Sequence, residues 1–149
     1  MSIYVAITKH AEAICALVKR MHAESKYADI KYDQFKIQRL VNAMMHDQGS
    51  VILIATDLAD EVVGFLALEQ SQYLFNFDHF VTDLGFYVLP NYRTTTVPYR
   101  LIRAGEAWAA ERGDALVLGV SAPEDTSKTA AMYGKLGYKP WGTVMRKAF

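Results

Sequence analysis

The chain has 149 residues, 52% apolar and 21% charged, which suits one globular domain with a substantial core and excludes a disordered chain. Its 16 Lys and Arg balance 16 Asp and Glu with no basic run, so binding to nucleic acid through its phosphates is not expected. Cys15 is the only cysteine, which excludes an internal disulfide and a CxxC metal site and points to a reducing compartment.

Lys9, His10 and Glu12 interrupt any apolar run near Met1, so no signal peptide is read there. No apolar stretch approaches the ~20 residues that span a bilayer. A cytoplasmic protein without membrane contact is expected.

Weak alternation over residues 3–7 predicts a first strand. Thr8 is placed to cap a helix running to about Ser25, with Ala11, Ile14, Cys15, Val18 and Met21 on one apolar face. Tyr27 to Lys31 reads as a connection. Asp33 is placed to cap a second helix, in which Ile37, Leu40, Val41 and Met44 recur at three- and four-residue intervals. Two β-branched apolar runs follow, residues 51–55 and 61–68, joined by a hairpin loop over residues 57–60. Tyr73, Phe75, Phe77 and Phe80 then stud residues 70–80. They are expected in a loop or extended hairpin with its aromatics on the core; a pocket wall or subunit contact is the sharper reading.

Residues 84–89 form the next predicted strand, closed by Pro90 and Asn91. A loop rich in threonine leads to a helix with Pro98 in its first turn, where the missing N–H costs nothing. Leu101, Ile102, Gly105, Trp108 and Ala109 give that helix one apolar face, and Gly113 is its stop signal. Residues 115–120 make another strand, so strand, helix and strand form a βαβ unit with two parallel neighbours and a right-handed crossover. A last helix starts at Asp125 or Thr126, runs to about Leu136 and ends at Gly137. Residues 138–147, holding Pro140 and Gly142, are expected to make one or two short closing strands. A helix entered from the loop before Pro98 presents unpaired N–H groups and a positive dipole end, which suits a phosphate.

Two segments carry a resemblance. Phe86-Tyr87-Val88-Leu89-Pro90-Asn91-Tyr92-Arg93 is similar to a strand ending V-x-P-x-x-R before an acyl-CoA phosphate loop. About forty residues on, Ala130-Ala131-Met132-Tyr133-Gly134-Lys135-Leu136-Gly137-Tyr138 looks like a late helix whose tyrosine is followed four residues later by Gly and then an aromatic. Together, and in this order of elements, they resemble the GNAT family of N-acetyltransferases over nearly the whole chain. The resemblance implies one α/β domain over residues 1–149, with a mixed central sheet of about six to seven strands flanked by about four helices.

It also implies acetyl-CoA as co-substrate and direct transfer of the acetyl group to a primary amine on a small molecule, a protein N-terminus or a lysine. Backbone groups around Phe86, Tyr87 and Val88 would pair with the pantetheine arm like an added strand. Arg93, Thr94, Thr95, Thr96, Val97, Pro98 and Tyr99 would hold the pyrophosphate, and Thr126 stands where many members have an Asn touching pantetheine. The loop departs from the family's Arg/Gln-x-x-Gly-x-Gly/Ala pattern. Thr96 adds bulk and Pro98 donates no N–H, whereas three threonine hydroxyls, Arg93 and Arg100 supply other donors and charge.

Tyr133 matches the family's general acid for the departing thiolate. The base is open. The positions nine and eleven residues before Arg93, where members often carry it, are Leu84 and Thr82. Asp83 is one residue out of phase and faces the other side unless a bulge shifts the register; Glu69, His79 or a water relay are the alternatives. No metal is implied, since the four histidines are scattered, and no G-x-S-x-G elbow supports a hydrolase. The rival to an enzyme is a non-catalytic acyl-CoA-binding or protein-interaction module on the same fold, and a third reading is transfer of another acyl chain. Homodimerisation is an expectation by analogy.

Overall fold

Chain order is β1 (Ser2–Val5), α1 (Ala11–Glu24), α2 (Gln34–His46), β2 (Ser50–Thr56), β3 (Val62–Gln72), β4 (His79–Val88), α3 (Val97–Ala110), β5 (Leu116–Val117) and α4 (Thr126–Lys135). Short 3-10 turns occupy Thr8–His10 and Pro90–Tyr92. These elements come from a computed structural model, which describes residues 1–121 and 126–149. Asp125 as a helix start therefore lies outside the described residues. Among them, no helix is long and apolar enough to cross a membrane.

The sheet is mixed, with strands in the order β1-β2-β3-β4-β5. The first four are antiparallel, and β5 joins β4 in parallel through Val81–Leu116 and Thr82–Val117. That parallel pair with α3 between its strands is the βαβ unit expected from the spacing. Strand β2 is buried on both faces, which is why its sequence runs unbroken rather than alternating. Val51, Leu53 and Ala55 face a core with Leu66, Leu68, Val81, Val97 and Leu101 beneath α3. Ile52 and Ile54 face the opposite core with Ile14, Leu17, Val41 and Phe65 beneath α1 and α2.

Most predicted elements form, with changed limits. Asp33 caps α2, its Oδ1 accepting from the Lys36 N–H at 3.0 Å. Thr8 instead opens the 3-10 turn, and α1 starts after His10 without a side-chain cap. Strands β3 and β4 run further than expected, meeting in a hairpin with its tip at residues 73–78. Tyr73 stacks on Phe80 at 4.7 Å, but Phe75 and Phe77 point outward, 92% and 87% exposed, and do not pack on the core.

The expectation of six to seven strands is corrected: one sheet of five strands forms among the described residues. The closing strands over residues 138–147 are absent. Pro140 removes a ladder donor and Gly142 takes a positive φ of 136°, so this segment is poorly suited to pairing. Gly137, at φ 93°, does end α4 as expected, in the left-handed region where other residues are strained.

Candidate active site

The site is built where β4 and β5 part. Their pairing stops at Thr82 and Val117. One step further the Gly119 N–H donates to Asp83 Oδ1 at 2.9 Å, so a side chain closes the gap that the backbone no longer closes. Beyond Asp83, β4 continues to Val88 with no strand on that edge among the described residues.

Which peptide groups face this open edge follows from alternation. The Leu89 N–H bonds Val63 O on the β3 side, so Tyr87 also turns to β3 while Phe86 and Val88 turn outward. The Val88 carbonyl accepts from Arg93 Nε at 2.8 Å, consistent with that direction. Phe86 and Val88 thus form one wall of a slot with Asp83 at its closed end, whereas Tyr87, expected beside them, turns its peptide groups to β3 and its side chain to Glu24.

Asp83 reaches that position through a β-bulge. Gly85 pairs with Ala67, but Asp83 pairs with Leu68, leaving Leu84 as the extra residue. The bulge restores the phase that strict alternation denied. Asp83 lies opposite Leu68, on the face that packs beneath α3, where α4 brings Tyr133. The Tyr133 hydroxyl donates to the Gly119 carbonyl over 3.5 Å, and its ring is buried.

The electrostatics follow from burial. Desolvation raises the Asp83 carboxyl above its ordinary range, with the Gly119 N–H and its own N–H offsetting part of the rise. Desolvation also raises the Tyr133 phenol well above its usual value, followed by the repulsion of Asp83 and Tyr138. Tyr133 is therefore protonated at any physiological pH.

The loop at the other end of the slot holds three backbone donors outward. Among the described residues, the N–H groups of Thr94, Thr96 and Tyr99 make no hydrogen bond. Thr95 spends its hydroxyl locally, donating to Tyr92 O at 2.6 Å and accepting from the Val97 N–H at 3.2 Å. Val97 and Pro98 are buried in the core and offer no donor, so as binding residues they anchor the helix start. Between α3 and α4 lies an open groove of about 600 Å³, bordered by Tyr99, Arg103, Lys128 and Lys135. Arg103 lies over the Tyr99 ring and pairs with Glu106 at 2.7 Å. Thr126 is exposed at the first turn of α4.

Sequence reasoning missed Glu24. It accepts from the Tyr87 hydroxyl at 2.7 Å and pairs with Arg93, whose guanidinium also lies 5.2 Å from the Tyr87 ring centre. Burial pushes the Glu24 carboxyl up, but the bonds from Arg93 and Tyr87 outweigh it and hold the group below its usual range. Nothing in a pattern of local spacing joins residues 69 positions apart. Gly119, which holds both Asp83 and Tyr133, was equally invisible.

The other two candidate bases are not brought into the slot. Glu69 lies opposite Thr82 and shares the α1/α2 face with Ala67. His79 begins β4, exposed and about 13 Å along the strand from Asp83.

The chain belongs to the acetyltransferase (GNAT) family, whose model matches residues 12–138. No curated protein matches. Solved structures with a similar fold include a single-site mutant of the BH1408 protein from Bacillus halodurans, at 18% identity and a TM-score of 0.81, with 100% of this chain and 99% of that one covered. Another is the aminoglycoside 6'-N-acetyltransferase AAC(6')-Ig from Acinetobacter haemolyticus, at 18% identity and 0.77 over 100% and 98%. A third, AAC(6')-Iy in complex with the bisubstrate analogue CoA-S-monomethyl-acetylneamine, scores 0.80 at 18% identity over 99% and 97%. At these identities the likeness is one of fold.

Proposed function

We propose that this protein is an N-acetyltransferase that uses acetyl-CoA to acetylate a primary amine. The observation that carries the reading is the slot along β4. It runs from three outward backbone donors at the α3 entrance to a carboxyl and a phenol at its closed end. A pantetheine arm would pair with the outward peptide groups of Phe86 and Val88, and the pyrophosphate would sit on the N–H groups of Thr94, Thr96 and Tyr99. The groove beside Arg103, Lys128 and Lys135 would take the nucleotide end. The bisubstrate complex of AAC(6')-Iy supports a CoA ligand on this fold.

When bound, the thioester supplies an activated acetyl carbonyl. Asp83 takes a proton from the amine, directly or through one water, as the C–N bond forms. Its raised carboxyl suits that work. Tyr133 gives its phenolic proton to the sulfur as the C–S bond breaks. Glu69 and His79 have no part in this scheme.

One observation favours the rival reading of a non-catalytic module. Arg93 already pairs with Glu24 and donates to Val88 O, so part of its charge is spent inside the protein. Calorimetry with acetyl-CoA, dephospho-CoA and adenosine phosphates separates the two. Binding at micromolar acetyl-CoA is expected, with turnover that needs Tyr133. No binding at millimolar ligand would leave the non-catalytic module.

A further inference from the structure

The open edge of β4 carries a side chain at its α3 end. The Val88 carbonyl, one of the outward groups that a pantetheine arm would use, already accepts from Arg93 Nε at 2.8 Å. The same guanidinium pairs with Glu24 and lies 5.2 Å from the Tyr87 ring centre. Arg93 therefore lies on the edge of the strand and is tied there to the end of α1.

Glu24 is the fixed partner of this pair. Its Oε1 accepts from the Tyr87 hydroxyl at 2.7 Å, which holds it to β4. Two residues on, the Lys26 N–H donates to Ser121 O at 2.8 Å, so the end of α1 is also held to the segment after β5. Arg93 is placed differently, because it follows a 3-10 turn and leads into Thr94, the first of the outward loop donors. The Arg93 and Glu24 side chains are 34% and 43% exposed, so their pair is partly solvated and opens at small cost.

We infer that Arg93 is a latch on the cofactor edge, held over Val88 by Glu24 in the free protein and drawn off by the pyrophosphate. Glu24 is then a positioning residue that sets acyl-CoA affinity without touching the ligand. The inference rests on the transferase reading for its ligand. Two demands meet at Arg93. A carbonyl has two lone pairs, but a guanidinium on the strand edge takes the space of the arm as well as one of them. A pyrophosphate at Thr94, Thr96 and Tyr99 brings two negative charges against the one of Glu24, and is the stronger partner. A ligand with the pyrophosphate thus clears the edge for its own arm. One without it must displace Arg93 unaided.

The test is calorimetry of the whole protein with acetyl-CoA and with S-acetylpantetheine, which carries the arm and no pyrophosphate. The parent is compared with Glu24→Gln, Arg93→Ala and the double variant. Glutamine keeps an acceptor for the Tyr87 hydroxyl and removes the charge that holds Arg93. Glu24→Gln should tighten acetyl-CoA about three- to fivefold, the scale of a partly exposed ion pair. In the Arg93→Ala background the same change should do nothing. An equal gain there would mean simple removal of a negative charge and would overturn the inference. Arg93→Ala should move the two ligands in opposite directions, weakening acetyl-CoA about tenfold and tightening S-acetylpantetheine about threefold. That crossing carries the test if Glu24→Gln does not fold. Weakening of both ligands by Arg93→Ala, or acetyl-CoA binding left unchanged or weakened by Glu24→Gln, would also overturn the inference. Binding of acetyl-CoA by the parent with none of these shifts sinks this inference alone. No binding by any of the four proteins sinks the transferase reading and the inference together.

Discussion

Asp83 and Tyr133 hold opposite ends of one residue. The Gly119 N–H points to the Asp83 carboxyl at 2.9 Å, and the Gly119 carbonyl receives the Tyr133 hydroxyl at 3.5 Å. The two side chains are also coupled through charge, since ionised Asp83 is one of the influences that raise the phenol. A proton arriving on Asp83 removes that influence and makes Tyr133 a better donor. In the proposed reaction the amine's proton loss would thus prepare the proton gift to sulfur.

Tyr133→Phe tests the donor. Its bond to Gly119 is long, so stability should fall by less than about 1 kcal/mol. Turnover should fall about 10²–10³-fold with little change in KM, the scale of a lost general acid. Unchanged turnover across pH would remove Tyr133 from the chemistry.

Asp83→Asn tests the other end of that pair through pH. The folded-state carboxyl is raised above its ordinary 3.8 by burial. Its contribution to stability is then full below 3.8 and is lost as pH rises through the raised value, where the native state must hold a partly desolvated charge. Asparagine keeps an acceptor for the Gly119 N–H and carries no charge. The variant should melt above the parent at pH 7 and match it near pH 3, read from melting temperature against pH. A lower melting point at pH 7 would contradict the burial argument. In rate measurements, the same variant should lose at least ~100-fold and abolish the acidic limb if Asp83 is the base.

The parts of this molecule that rest on local rules were legible. The Asp33 cap and the stop at Gly137 each depend on residues a few positions apart, and the βαβ unit on the order of three consecutive elements. What escaped was non-local. The bulge at Leu84, raised in the sequence only as the condition on Asp83, depends on how β4 registers against Ala67 and Leu68, and no residue in β4 decides it. Glu24 meets Arg93 only because α1 ends beside the strand that leads into the loop. The missing closing strands show the reverse error: Pro140 and Gly142 were read as compatible with short strands over residues 138–147, but the lost donor of Pro140 and the positive φ of Gly142 oppose pairing.

The threonine loop makes a prediction that separates neighbouring hydroxyls. Thr95 bonds both Tyr92 O and the Val97 N–H, so it does the capping work although Thr96 stands at the N-cap position without a side-chain bond. Thr95→Ala should cost about 1 kcal/mol, the usual value of a lost cap, and weaken acetyl-CoA as the loop loosens. Thr94→Ala should stay within about 0.5 kcal/mol and leave affinity intact, because its contribution there is the backbone N–H. Urea melts and calorimetry on both variants check this. Equal losses in the two would show that Thr95 has no special place.

Gly105 sets two general effects against each other. In the middle of α3, replacing Gly by Ala ordinarily gains up to about 1 kcal/mol in helix propensity. Here the new Cβ would lie 2.7 Å from Leu66 Cδ2 and 3.2 Å from Leu68 Cδ1, both on side chains with no exposed surface. Over-packing of this kind costs about 1–3 kcal/mol, because leucines enclosed on all sides move only by leaving their rotamers. The clash should win. Gly105→Ala is expected to lose about 1 kcal/mol net, lowering the melting temperature by roughly 2–4 °C in a chain of this size. Gly105→Val should lose more, since it adds methyl groups against the same leucines and a β-branched side chain in the helix. A melting temperature that rises in the alanine variant would mean that α3 stands further from the sheet than these contacts place it.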